Sequence, residues 1–129
     1  MPHIRRHVLH VAGTAFAAAF VLCASGAEAR TITLTDQKSI SDAAIVNDAV
    51  GAVVRQVASC KGPAKACACS QRASLARLSN AYHSAVRKHP NWNEQGVVVQ
   101  YFRRVDGHAV TVATMFPSLQ RQLAMCNVS

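Results

Sequence analysis

The chain is short of acidic residues, of aromatic residues and of motifs that carry catalysis. Among 129 residues, Asp and Glu number six against fourteen Lys and Arg, and aromatic residues make up 5%. No two carboxylates are adjacent, and neither G-x-S-x-G nor C-x-x-C-H occurs, which argues against hydrolysis and excludes covalent haem. The length excludes a two-domain enzyme and a full-size barrel. We therefore expect a protein that is not an enzyme and that needs no cofactor.

Residues 1–29 have the pattern of an export signal peptide. The pair Arg5-Arg6 precedes an uncharged apolar run at 8–22, and Ala27-Glu28-Ala29 places small residues at the two positions that a signal peptidase reads. The run has about 15 residues, fewer than the roughly 20 that span a bilayer, so we predict cleavage rather than a membrane anchor. The arginine pair fits the ordinary export route, and the twin-arginine route stays open.

Cleavage would leave residues 30–129 as one small domain, periplasmic or secreted, without a transmembrane segment. This part keeps 12 basic and 5 acidic residues, a net charge of +7, and four cysteines, which are Cys60, Cys67, Cys69 and Cys126. Half of the whole chain is hydrophobic and 16% is charged, which is typical of a folded domain. A domain of this size has one modest core, and disulfide bonds would stabilise it.

An even number of cysteines in a small exported domain predicts two disulfide bonds. A bond between Cys67 and Cys69 would close a very tight ring, so two pairings remain open. We rank Cys60–Cys67 with Cys69–Cys126 first, and Cys60–Cys69 with Cys67–Cys126 close behind. Either one ties Cys126 to the middle of the chain and closes a loop of nearly 60 residues, which contributes about 4 kcal/mol in the chain-entropy model.

Two alternative functions follow from the same cysteines. If Cys67-Ala68-Cys69 were reduced, the pair would suit a soft metal or act as a redox dithiol. The chain would then be a periplasmic metal carrier or a thiol–disulfide redox protein. An oxidising compartment favours structural bonds instead. Because His83, His89 and His108 show neither i,i+4 nor H-x-H spacing, we predict no metal site.

Hydrophobic periodicity predicts a small α+β domain in the order α-α-β-β-α. Helices are expected at about 39–59, 69–88 and 117–126, after an extended start at 30–35 and with a loop at 60–68. Asp36 or Ser39 can cap the first helix. Its buried side is expected to carry five valines, Val46, Val50, Val53, Val54 and Val57.

A β-hairpin is predicted over 97–114, with Asp106-Gly107 as its two-residue turn. The alternation of the strands puts six residues on one face, and we expect this face to pack on the helices. These residues are Val99, Tyr101, Val105, His108, Val112 and Thr114.

Three short segments resemble a pattern found in small exported proteobacterial proteins of unknown function, C-x-C followed by H-P-x-W and then Q-L-x-x-C. The segments here are Cys67-Ala68-Cys69, His89-Pro90-Asn91-Trp92 and Gln122-Leu123-Ala124-Met125-Cys126. The resemblance covers about 60 residues. It implies a Gram-negative envelope setting and a disulfide role for the cysteines, and it implies no activity.

Positive charge is concentrated in the middle of the chain, where no acidic residue lies between Asp48 and Glu94. The basic residues of this stretch are Arg55, Lys61, Lys65, Arg72, Arg77, Arg87 and Lys88. Four residues of the predicted second helix, Arg72, Arg77, His83 and Arg87, are named here the basic face. Unpaired basic side chains on one surface create a positive potential that attracts anions.

The anions of an envelope include lipid head groups, lipopolysaccharide phosphates and acidic proteins. We therefore predict an exported, non-enzymatic, cationic binding or accessory protein that contacts an anionic envelope component or an acidic partner through the basic face. The alternative is a solvated surface that only aids solubility. Nucleic acid is not an expected partner, because Tyr101 is expected to face the core and exported proteins rarely meet nucleic acid.

Overall fold

The computed structural model describes residues 28–129, so nearly all of the predicted signal peptide lies outside the described residues. The elements in chain order are β1 (Arg30–Thr33), α1 (Gln37–Ser59), α2 (Ala64–Cys69), α3 (Arg72–Lys88), a 3-10 turn (Pro90–Asn93), β2 (Val97–Val105), β3 (His108–Thr114) and α4 (Phe116–Met125). The α+β class and the predicted order of the long elements are confirmed. β1 lies within the predicted extended start at 30–35, and the structure adds α2 and the 3-10 turn. Within residues 28–129, no helix has the length and apolar character needed to cross a membrane.

Helix α1 begins two residues before the predicted start because Asp36, rather than Ser39, is its N-cap. The Asp36 carboxylate accepts a hydrogen bond of 2.7 Å from the backbone N–H of Ser39. Hydrogen bonding from Ser39 also holds the pKa of Asp36 below its ordinary value. The helix then runs for 23 residues through Gly51 and many valines, which are poor helix formers. Packing of its apolar side against the core therefore stabilises it.

The three strands form one sheet in the order β1-β2-β3. β1 runs parallel to β2, with Ile32 beside Val99, and β3 runs antiparallel to β2. Asp106 and Gly107 form the hairpin turn with φ angles of 50° and 79°, the left-handed conformations that a two-residue turn of this kind requires.

The core lies between the sheet and the helices, and only the base of the hairpin reaches it. Val99, Tyr101 and Thr114 are buried on the predicted face. Val105, however, is 44% exposed, and His108 is exposed as well. The prediction that Val105 and His108 lie on the helices is therefore wrong, because the far half of the hairpin extends beyond the core.

Candidate functional site

An apolar groove of about 490 Å³ opens where the second half of α1, α2, the start of α3 and the end of α4 meet. Aliphatic side chains dominate its lining, which also includes the disulfide-bonded Cys126. The residues used to define the apolar groove are Val54, Val57, Ala68, Leu75, Leu78 and Met125. A hollow of this size and character is the kind of site in which proteins bind small apolar ligands.

Small side chains on one wall leave the apolar groove open. Helix α2 contributes Ala64 and Ala68 to the lining, opposite Val53, Val54 and Val57 of α1. As a result Val54, which was predicted to be buried, is 58% exposed, and Met125 on the opposite wall is 51% exposed. The groove therefore presents apolar surface that no other part of the described chain covers.

Most of helix α2 lies in the segment 60–68, which was predicted to be a loop. Pro63 precedes it, and no side chain caps its first turn. Alanine, the strongest helix former, occupies three of its six positions, Ala64, Ala66 and Ala68. This alanine content was the signal in the sequence for a helix here.

Both disulfide bonds cross-link the walls of the apolar groove. Cys60–Cys67 joins the end of α1 to α2, with 5.7 Å between the two Cα atoms. Cys69–Cys126 joins α2 to the end of α4 across 57 residues of sequence. The first-ranked pairing is confirmed, and Cys67 and Cys69 belong to different bonds. Three walls of the groove are thus held together covalently.

The basic face lies on the outer side of α3. Arg72, Arg77, His83 and Arg87 are all exposed, whereas Leu75 and other apolar residues of the helix point into the core. At 3.6 residues per turn, Arg72, His83 and Arg87 lie within about 60° of one another, and Arg77 lies further round the helix. Arg72 and Arg87 are roughly 22 Å apart along the axis.

The three arginines of the basic face have no acidic partner within residues 28–129. The ion pairs of this part of the chain are Arg30–Glu94, Lys88–Asp42, His89–Asp42 and Arg103–Asp48. All of their acidic members lie outside α3. The positive charges of Arg72, Arg77 and Arg87 are therefore available to an external anion.

Arg72 lies at the end of α3 where a positive charge does not favour the helix. It occupies the first turn, which contains no acidic residue and has no side-chain cap. The partial positive charge of a helix N-terminus repels a cation there. Lys88, in the last turn, is placed where the dipole favours it. Arg72 thus contributes charge to the surface without stabilising its own helix.

Lys65 connects the apolar groove to the basic face. Its side chain lines the groove, and it also lines a second, shallower depression together with Arg72, Met125 and Cys126. The two hollows share Lys65 and the end of α4. Two cations, Lys65 and Arg72, therefore lie beside the open apolar surface.

The other end of α3 is closed by the His89-Pro90-Asn91-Trp92 segment. The His89 ring stacks on Trp92 with 3.9 Å between ring centroids, and His89 Nε2 lies 3.0 Å from Asp42 Oδ2. Lys88 Nζ donates to Asp42 Oδ1 at 2.6 Å. Burial opposes ionisation of Asp42, but the hydrogen bonds and charges of Lys88 and His89 prevail and lower its pKa.

Comparison of the chain with protein-family models, with curated proteins and with solved structures found no match.

Proposed function

We propose that the chain is an exported, non-enzymatic protein that binds an anionic component of the bacterial envelope, and that this component is anionic lipid. The observation that carries the proposal is the basic face, whose three arginines are exposed and have no ion pair within the described part of the chain. The net charge of +7 in residues 30–129 adds a long-range attraction of the same sign.

The spacing of the basic face favours an extended partner. Arg72 and Arg87, about 22 Å apart, do not reach one small anion together. They do match a surface that carries many anionic groups, such as a lipid leaflet or the phosphates of lipopolysaccharide. Each exposed Lys or Arg close to such a surface contributes about 1 kcal/mol of binding free energy.

Apolar surface beside the cations favours lipid over an acidic protein. The exposed Val54 and Met125 line the groove together with Lys65, and Met125 also lines the depression that contains Arg72. A lipid leaflet places anionic head groups directly above hydrocarbon, so it matches this combination of charge and apolar surface. An acidic protein would match the charge alone.

Co-sedimentation with vesicles tests the proposal. Protein recovered from the periplasm should bind phosphatidylglycerol vesicles at low salt and should not bind phosphatidylcholine vesicles. Binding should weaken as salt rises, because exposed charges are screened over about 8 Å at physiological ionic strength. Absence of binding to phosphatidylglycerol at low salt would overturn the proposal, and salt-sensitive capture of an acidic envelope protein instead would identify the other partner class.

Two triple variants separate the basic face from net charge. Replacing Arg72, Arg77 and Arg87 with Gln should abolish most vesicle binding without unfolding the domain, since all three side chains are exposed. The matched control replaces the exposed residues Lys38, Arg104 and Arg121 with Gln, which removes the same charge elsewhere. Equal weakening of binding by both variants would show that no particular face is responsible.

A further inference from the structure

We propose that the apolar groove binds a fatty acid, with the hydrocarbon chain against the α1 and α3 walls and the carboxylate at Lys65 and Arg72. This inference rests on the proposed function, because it names the kind of anionic lipid that the protein takes up. The volume of about 490 Å³ lies within the range of small-ligand sites and matches one acyl chain rather than the two of a phospholipid.

The lining of the apolar groove suits hydrocarbon. Leu75 and Leu78 form its floor and are almost fully buried, while Val54 and Met125 at its edges are more than half exposed. Single exposed apolar residues are normal on protein surfaces, but here two large ones border the same hollow. An acyl chain in the groove would cover both.

The charge around the apolar groove suits a carboxylate. Among the described residues, Lys65 is the only charged residue in the lining, and no acidic residue lines either the groove or the neighbouring depression that contains Arg72. Neither Lys65 nor Arg72 takes part in an ion pair within residues 28–129. The groove thus has apolar walls, and the charged residues at its Lys65 end are cations. This arrangement is complementary to an amphipathic anion, which has an apolar chain and one negative group.

The two disulfide bonds fix the groove before a ligand arrives. Cys60–Cys67 and Cys69–Cys126 hold α1, α2 and α4 at set positions around it. A rigid site loses less conformational entropy on binding than a flexible one. The wall made by α2, which has only six residues, is thereby held without a large core of its own.

Calorimetric titration with octanoate, decanoate and dodecanoate is the first test. Affinity should rise about fourfold for each added methylene, which corresponds to roughly 0.8 kcal/mol per buried CH₂. Dodecanol, which has the same chain and no charge, should bind more weakly than dodecanoate. Affinity that does not depend on chain length would overturn the inference.

Paired variants locate the ligand. Val54→Gln should weaken dodecanoate binding about tenfold, because it removes part of the apolar surface. Its matched control is Ile45→Gln, which changes an equally exposed branched residue of α1 that does not line the groove.

Lys65→Gln should weaken the binding of dodecanoate two- to fivefold and leave the binding of dodecanol unchanged, as expected for a partly exposed ion pair. Lys61→Gln, in the loop that precedes α2 and outside the lining, should change neither affinity.

The outcomes for the groove and for the basic face can be told apart. If the protein binds phosphatidylglycerol vesicles but shows no saturable binding of dodecanoate, or if Val54→Gln and Ile45→Gln bind dodecanoate equally, the groove inference is overturned and the proposed function stands. If dodecanoate binds as expected and no anionic vesicle binds at low salt, the groove inference is supported and the proposed membrane contact is wrong.

Discussion

The two ends of α3 differ in how their charged and apolar groups are matched. At the C-terminal end, Lys88 and His89 pair with the buried Asp42, and Trp92 is covered by the His89 ring. At the N-terminal end, Arg72 has no ion pair within residues 28–129 and lies beside exposed apolar surface. The matched end closes the fold. At the unmatched end, the Arg72 charge and the exposed apolar surface are available to a ligand. The difference between the two ends of α3 therefore places the apolar groove at the N-terminal end.

Truncation of the largest core side chain at the matched end should have the largest effect on stability. Trp92 is 2% exposed and packs between His89 and Phe116. Trp92→Ala should lower the free energy of unfolding by about 3–5 kcal/mol. Met125→Ala, at the unmatched end, should lower it by less than about 1 kcal/mol. Urea unfolding at neutral pH measures both, and similar losses would contradict the contrast.

The two disulfide bonds should differ in their contributions to stability. Replacing Cys69 and Cys126 together with Ser opens a loop of 57 residues and should lower the free energy of unfolding by about 4 kcal/mol. Replacing Cys60 and Cys67 together opens a loop of 7 residues and should lower it by only about 2 kcal/mol. Urea unfolding of the two double variants gives the comparison. A larger loss for the short loop would show that local packing around α2 outweighs chain entropy.

Protonation of Asp42 should weaken the matched end. Because its pKa is lowered in the folded state, ionised Asp42 contributes stability above the pKa of the unfolded chain. This contribution is lost as the pH falls below about 4 and through the lowered pKa. Asp42→Asn should therefore destabilise the protein by about 1–3 kcal/mol at pH 7. The difference from the natural chain should shrink in unfolding curves recorded at successively lower pH, and a constant difference would exclude this role.

The long helices and the hairpin turn were predicted correctly from the sequence. The spacing of apolar residues predicted α1, α3 and α4, and Asp106-Gly107 predicted the hairpin. Ranking the pairings of four cysteines selected the observed bonds, and the basic face is exposed as expected. The helices and the hairpin depend on residues that are close in sequence or on a strong local signal, whereas Cys69–Cys126 spans 57 residues and its pairing was ranked only narrowly first.

The structural features that the sequence did not predict depend on contacts between distant residues or on unfilled volume between side chains. The extended start at 30–35 was predicted, but its pairing with β2, more than 60 residues away, was not. Helix α2 is too short to show a hydrophobic period, and Asp42 gave no sign that it would meet His89. The apolar groove is lined by small and apolar side chains of four elements that are distant in sequence, and a pattern of apolar residues does not report an unfilled volume.

The most direct test of the contrast compares one basic residue from each end of α3 in the same assay. Arg72→Gln and Lys88→Gln each remove one exposed positive charge from the same helix. The measurement is the partition coefficient on phosphatidylglycerol vesicles at low salt. We expect Arg72→Gln to lower it about fivefold, equivalent to about 1 kcal/mol, and Lys88→Gln to leave it unchanged, because Lys88 is paired with Asp42. Equal losses from the two variants would contradict the assignment of binding to those cations of α3 that have no ion pair within residues 28–129.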